Sequence, residues 1–272
     1  MPSLDAPCPI ALSVILPAYN EQNRILRYLT EIHRYLSTRR TPFEILAVDD
    51  GSDDDTVLVV EKFCREHAAA VRLITLDHNQ GKGAAVRAGM KQAQGALHLF
   101  ADADGATPIQ EVEWLEAAIG GGADLAIGSR TLASRDSRYS VKARWHRSLM
   151  GSLFNMIVRQ AGLRGIADTQ CGFKLFRKTV AQDLFGVACL NGYGFDLELL
   201  YVAQQRSYRI AEVPINWTDQ SGSKVRVMRD GVRMLHELWD VRRNDARGRY
   251  TPSTSLRVFP EVVLGEASSP TS

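Results

Sequence analysis

Cysteine is scarce and scattered in this 272-residue chain. The four residues Cys8, Cys64, Cys171 and Cys189 form no CxxC pair and no metal-ligand spacing. That argues against a disulfide framework or a zinc site, and predicts reduced thiols in a cytosolic setting. None of the six histidines falls in an HxxxH pair, so they read as individual surface or core residues. No stretch reaches the ~18 uninterrupted apolar residues of a membrane-spanning helix. No basic residue precedes the apolar part of "MPSLDAPCPIALSVILPAYN", which therefore reads as a short tail entering a strand rather than a signal peptide. An excess of either charge is also lacking, since 33 Lys and Arg face 31 Asp and Glu. A hydrophobic fraction of 45% and a charged fraction of 24% fit an ordinary globular α/β domain. The final stretch "TPSTSLRVFPEVVLGEASSPTS", rich in Ser, Pro and Thr, predicts a loosely ordered tail.

What is present is a rhythm. Apolar, β-branched runs recur as "LSVIL" (12–16), "FEILAV" (43–48), "VRLITL" (71–76), "ALHLF" (96–100) and "ADLAI" (123–127), with helix-length segments near 21–38, 53–67, 82–94 and 108–119. Pro108 suits the first turn of the last of these. Such alternation predicts a mostly parallel sheet covered by helices on both faces. In sheets of this kind ligands bind at the carboxyl ends of the strands.

Those ends carry the chemistry. The first strand runs into "PAYNE" with Pro17, Tyr19 and Glu21, and the second into "DDGSDDDT". The third leads into "NQGKGAAVRAG", the fourth delivers Asp102 and Asp104 in "FADADGAT", and the fifth ends in "GSR" with Arg130. Two carboxylates so close repel unless solvated, hydrogen-bonded or neutralised by a cation. A solvated turn and a metal site both satisfy that requirement, but five such strand ends in succession favour a site. "GKGAAV" is neither a dinucleotide fingerprint nor a P-loop, although Gly81 and Gly83 let a helix N-terminus approach an anion and Lys82 adds charge. A diphosphate with a divalent cation on Asp102 and Asp104, countered by Arg130 and Lys82, accounts for the charges of this rim.

With these motifs the chain resembles the family 2 glycosyltransferases. Downstream, "DTQCGFKLF" (168–176), "GFDLELLYVAQ" (194–204) and "IAEVPINW…GSK" (210–224) are similar to the dolichyl-phosphate β-glucosyltransferase branch, with polyprenyl-phosphate mannosyltransferases as the next relatives. The resemblance implies a GT-A, Rossmann-like α/β fold with amphipathic C-terminal helices. It divides the chain into a tail (1–10), a domain (11–245) with a nucleotide-sugar half (11–130) and an acceptor half (131–245), and a flexible tail (246–272). Pro17, Tyr19, Glu21 and Asp50 would hold base and ribose, and Asp102 and Asp104 the nucleotide sugar with Mg²⁺ or Mn²⁺. Arg130 would face the phosphates and Lys224 would close over them. Gln170 joins the substrate-binding set, Arg147 would meet the acceptor phosphate, and Asp196 would orient sugar or acceptor, or simply suit its helix N-terminus. Ala106 stands where the mannosyl branch keeps Gln, and "TDQSGSK" lacks that branch's Arg before the lysine. Both departures favour UDP-glucose over GDP-mannose.

A lipid monophosphate acceptor is already largely dianionic near neutral pH, its second pKa being about 6, so it needs positioning rather than a base. In-line attack would invert an α-linked donor to a β-linked lipid phosphate. The segment 138–164 combines Arg138, Lys142, Arg144, Arg147, Arg159 and Arg164 with apolar residues and no acidic one, and 224–249 repeats the theme with acidic dilution. The first reads as a membrane-interface helix. The second fits that role and a helix packed on the sheet equally well. The expectation is a hexosyltransferase peripheral to the cytoplasmic face of a membrane, with any further anchor supplied by a partner protein. No recognition motif points to nucleic acid. The alternatives are another donor sugar, a hydroxyl acceptor, or a non-catalytic nucleotide-sugar or lipid-phosphate binder.

Overall fold

Strand β1 (Leu12–Ala18) sends Val14 and Leu16 to one side of a sheet and Ile15 to the other, and β2 (Phe43–Asp49) does the same with Ile45 and Ala47 against Leu46 and Val48. A strand buried on both faces is the mark of a central, parallel position. The computed structural model describes residues 10–142, 163, 165–220 and 227–251, the side chains of 227–235 excepted. Its main sheet has seven strands in the order β3-β2-β1-β4-β7-β5-β8. The others are β3 (Val71–Thr75), β4 (Leu97–Ala101), β5 (Leu125–Ser129), β7 (Phe173–Arg177) and β8 (Ile210–Pro214). A two-stranded ribbon pairs β6 (Val141–Lys142) with β9 (Trp217–Thr218).

Helices cover both faces, as the alternation predicts. In α1 (Ile25–Thr38), Ile25, Leu29, Ile32 and Leu36 recur at helical spacing and bury one face. With α2 (Thr56–Glu66) and α4 (Val112–Gly120) this helix closes one core. The opposite core is closed by α3 (Lys82–Gln92), α6 (Lys178–Val187), α7 (Phe195–Gln205) and α8 (Val227–Ala246), while α5 (Arg130–Ala133) is a single turn at the end of β5. Between β1 and β4 the strand order reverses direction, which opens a crevice at their carboxyl ends.

Four details depart from expectation. Strand β7 enters antiparallel between β4 and β5, and Lys174 at its centre, fully buried, masks the apolar run "FKLF". The helices foreseen from 21 and 53 begin at Ile25 and Thr56, because the preceding residues are spent in hydrogen-bonded turns. Pro108 stands one step outside its helix, extended at ψ 138° and leading into a 3₁₀ turn (Ile109–Glu111) that feeds α4. Tyr250, foreseen in the flexible tail, is buried and donates its hydroxyl to Glu198 at 2.7 Å. The segments 1–9 and 252–272 lie outside the described residues, as does most of the basic stretch 138–164. The second basic stretch contains α8, which packs Leu238 and Val241 into the core. Among the described residues no helix is long and apolar enough to cross a membrane.

At the amino ends of the strands His98 is fully buried, with Nε2 on Gly95 O at 3.0 Å and Nδ1 unpartnered. Burial, helped by the Lys178 charge, pushes its pKa down from 6.5 to about 4. The native state therefore keeps His98 neutral while the unfolded chain takes up a proton. Stability should fall as pH drops from 6.5 towards 4, on the order of 2–3 kcal/mol over the full interval. Urea unfolding at pH 7 and pH 5 should show the loss in wild type and a flatter response in His98→Gln.

Candidate functional site

The rim is assembled by turns that consume much of their own charge. Asp49 at the end of β2 accepts the Ser52 amide at 2.9 Å, and Ser52 Oγ accepts the Asn20 amide at 2.9 Å. Asn20 Oδ1 accepts the Asp53 amide at 2.8 Å, and Thr56 Oγ1 the Glu21 amide at 2.7 Å. The acidic run after β2 thus stitches the β1 and β2 loops together. Pro17 ends β1 nearby, Tyr19 donates its hydroxyl to Asp53 at 3.2 Å, and Glu21 holds Arg24 in an ion pair at 2.5 Å.

Asp50 lies at the base of the same rim. Its carboxylate turns inward, 3% exposed, and accepts the amides of Gln80 and Gly81 at 2.8 and 2.9 Å. Burial raises its pKa against the pull of those amides. Asp50 therefore serves the rim chiefly by fixing the loop that launches α3. Gly51, at φ +66°, is pressed so closely on His78 and Asn79 that a Cβ would overlap their backbone.

Asp102 and Asp104 emerge from β4 beside that loop. Lys82, the first residue of α3, places Nζ 2.6 Å from Asp102 Oδ1 and 5.1 Å from the Phe100 ring centre. Lys82 is thus held by Asp102 rather than standing free for a phosphate. Burial opposes its charge, but Asp102 outweighs it and raises the lysine's pKa. Asp104 Oδ1 accepts the Ala106 amide at 3.0 Å. Burial raises the Asp104 pKa, and the Asp102 charge adds to it. Beneath the turn Tyr28 donates its hydroxyl to Thr107 O at 2.8 Å and faces Gly105, whose φ is +67°.

Arg130 and Asp196 are paired as well. Arg130 grips Asp168 in a fork, Nε to Oδ2 and Nη2 to Oδ1 both at 2.7 Å, with the Arg130 amide on Oδ2 at 2.9 Å. Trp217 lies 5.5 Å from its guanidinium. Burial would raise the Asp168 pKa, yet Arg130 overrides it and lowers the value. Asp196, in the first turn of α7 and 3% exposed, pairs with Lys174 Nζ at 2.6 Å, and Lys174 also donates to Cys171 O at 2.6 Å. Burial raises the Asp196 pKa against Lys174 and Lys82, and pushes the Cys171 thiol up to about 12. Gln170, between Asp168 and Cys171 in sequence, has Nε2 buried and without a hydrogen bond. Arg147 and Lys224 lie outside the described residues.

Lys174 and Gly172 are what sequence pattern alone did not single out. A Cβ at Gly172 would overlap Asp102 Oδ2, and Asp102 donates its amide to Gly172 O at 3.0 Å. The signal was present only as a glycine within "DTQCGFKLF".

The residues fit a divalent cation. Among the described residues no group of three or more His, Cys, Asp or Glu could hold one alone. Two carboxylates completed by diphosphate oxygens and water make the donor set of a Mg²⁺ or Mn²⁺ site that forms with its substrate.

A parallel sheet split by one antiparallel strand, with an acidic pair at the switch point, is the architecture of a GT-A glycosyltransferase. The chain belongs to glycosyl transferase family 2, whose model matches residues 13–185. It is 38% identical over 250 residues to the dolichyl-phosphate beta-glucosyltransferase of Drosophila melanogaster, covering 88% of this chain and 76% of that protein. With the Homo sapiens enzyme of the same name it shares 39% over 226 residues, covering 79% and 69%. Among solved structures, glucosyl-3-phosphoglycerate synthase from Mycobacterium tuberculosis, in complex with Mn²⁺, UDP and glucosyl-3-phosphoglycerate, matches with a TM-score of 0.63 at 19% identity over 85% of this chain and 80% of that one. Mannosyl-3-phosphoglycerate synthase from Rubrobacter xylanophilus matches at 0.62 and 19%, covering 93% and 78%. Both show the fold.

Gly172→Ala tests the seat of Asp102. Gly172 φ lies outside the left-handed region, so the backbone accepts alanine, but the Asp102 carboxylate must move. Turnover should fall about 100-fold, with a melting temperature close to wild type by differential scanning fluorimetry.

Proposed function

We propose that the chain transfers glucose from UDP-glucose to a dolichyl or polyprenyl phosphate, inverting the anomeric centre. The observation that carries the acceptor choice is Asp196. By the resemblance to family 2, Asp196 falls in the region where hydroxyl-acceptor members keep a base, and here it is 3% exposed and paired with Lys174. A residue so enclosed is poorly placed to take a proton from a hydroxyl, whereas a phosphate dianion has none to give up. The names of relatives at 33–39% identity support both the glucosyl donor and the dolichyl phosphate acceptor, and Ala106 favours the same donor.

The residues then divide the work. Pro17, Tyr19 and Glu21 line the nucleotide end, and Asp50 holds the loop they face. An acceptor phosphate oxygen attacks the anomeric carbon. The bond to UDP breaks on the opposite face with its electron pair on the departing diphosphate, and no proton moves. Arg130 has two nitrogens fixed by Asp168 and presents its remaining edge to that charge, joined by Lys82. Mg²⁺ or Mn²⁺ on Asp102 and Asp104 would supply Lewis-acid stabilisation of the leaving group. Gln170 Nε2, buried without a partner, is a donor available to sugar or phosphate. Arg147 on the acceptor and Lys224 on the diphosphate complete the proposal from outside the described residues.

A panel of UDP-glucose and GDP-mannose against polyprenyl phosphate and free polyprenol, with Mn²⁺ or Mg²⁺, tests this reading. UDP-glucose with polyprenyl phosphate should give a β-linked product. Preference for GDP-mannose would overturn the donor, transfer to polyprenol the acceptor, and binding without turnover the enzymatic reading.

We also propose that the chain docks peripherally on the cytoplasmic face of a membrane. On α8, Trp239 is 74% exposed, with Arg242 and Arg243 exposed three and four residues on, which suits an anionic interface. Co-sedimentation with phosphatidylserine vesicles at low salt, released at high salt, is expected, each basic residue near the surface contributing about 1 kcal/mol. Protein left in the supernatant at low salt would remove the assignment.

A further inference from the structure

Asp102 is occupied on two sides. Oδ1 takes the Lys82 ammonium at 2.6 Å, and the carboxylate lies against the backbone of Gly172, where even a Cβ would overlap it. The anchor of Lys82 is firm, because the Gly81 amide is held by Asp50 at 2.9 Å and the Gly83 amide by Asn191 O at 2.7 Å. Its tip is not. Two ammonium groups approach the Phe100 ring, Lys82 at 5.1 Å and Lys174 at 5.9 Å. Lys174 is fully buried and bound to both Asp196 and Cys171 O, whereas the Lys82 side chain is 22% exposed and bound to an Asp102 side chain that is 36% exposed. Lys174 is built into the core, and the Lys82 side chain, partly buried, reaches the open edge of the rim.

A divalent ion held by Asp102 would share that carboxylate with an ammonium already on it. Two cations on one small carboxylate repel. We propose that Lys82 is a tethered place-holder for the divalent cation. It neutralises Asp102 while the site is empty, then yields that carboxylate to the metal as its ammonium transfers to the arriving diphosphate. The exchange conserves charge, since a dication and a dianionic diphosphate enter together and Lys82 only changes partner. Metal and nucleotide must then strengthen each other's binding, reciprocally. The inference rests on the metal-dependent reading above and assigns Lys82 a positioning role within it.

Mn²⁺ binding, followed by the electron paramagnetic resonance signal of free Mn²⁺, tests this without turnover. Wild type, Lys82→Met and Lys82→Arg are titrated with and without UDP, with circular dichroism verifying the fold and Lys82→Gln replacing Lys82→Met should that variant not fold. Wild type should bind Mn²⁺ weakly alone and about tenfold more tightly with UDP. Lys82→Met should bind Mn²⁺ alone about tenfold more tightly than wild type and gain less from UDP, while Lys82→Arg, keeping the charge, should resemble wild type. Lys82→Met binding no tighter than wild type, or Lys82→Arg binding as tightly as Lys82→Met, would overturn the exchange. Wild type that takes up no Mn²⁺ even with UDP would instead overturn the metal reading.

Discussion

The repulsion between Asp102 and Asp104, one residue apart at the end of β4, is the constraint around which the rim is organised. Each way of relieving it is visible in a neighbour. Lys82 neutralises one carboxylate and the Ala106 amide supports the other, while burial first and the Asp102 charge second raise the proton affinity of Asp104. The same logic extends outward as Arg130 on Asp168 and Lys174 on Asp196. Lys174–Asp196 is buried on both sides, and such a pair is costly to desolvate and contributes little net stability. With the two partly exposed pairs beside it, the arrangement suits a binding site that must hold charge in place better than it suits a fold seeking stability.

Not every acidic residue at the strand ends belongs to that task. In the turn after β2, Asp49, Asp50 and Asp54 spend their oxygens on backbone amides and hydroxyls of the β1, β2 and β3 loops. The carboxylates pin these turns and fix the loop surface of the rim. Asp102 differs because its partner is a flexible ammonium that can be exchanged, where the amides on Asp50 cannot.

The repeating strand–helix pattern was legible because each central strand is apolar on both faces, and strand ends follow from where the apolar runs stop. Asp102, Asp104, Lys82 and Arg130 were legible as a cluster for the same reason, since a parallel sheet brings its carboxyl ends to one edge. Strand β7 was not, because Lys174 interrupts its apolar run and looks like a solvated residue until Asp196, 22 positions later, is found beside it. Partner choice was equally hidden. Arg130 meets Asp168 across 38 residues, and nothing local distinguishes an arginine held by a carboxylate from one free for phosphate.

The part of the chain beyond the family match at residue 185 is joined to the rim by packing. Residues 189–194 are held from below by Glu198, which accepts the amides of Cys189 and Leu190 at 2.9 Å each, and from α8 by Glu237, which accepts the Gly194 amide at 2.6 Å. That loop in turn presents Asn191 O to the Gly83 amide and the Tyr193 ring to Lys82. Gly81 and Gly83 let their backbone approach the carbonyls of Asn191 and Leu190, where a Cβ would collide, and Gly192 and Gly194 leave room for the Glu237 side chain. Helix α8, with Trp239 outward and Glu237 inward, is therefore two contacts away from the ammonium on Asp102. Anything that displaced α8 would therefore bear on the same loop that seats Lys82.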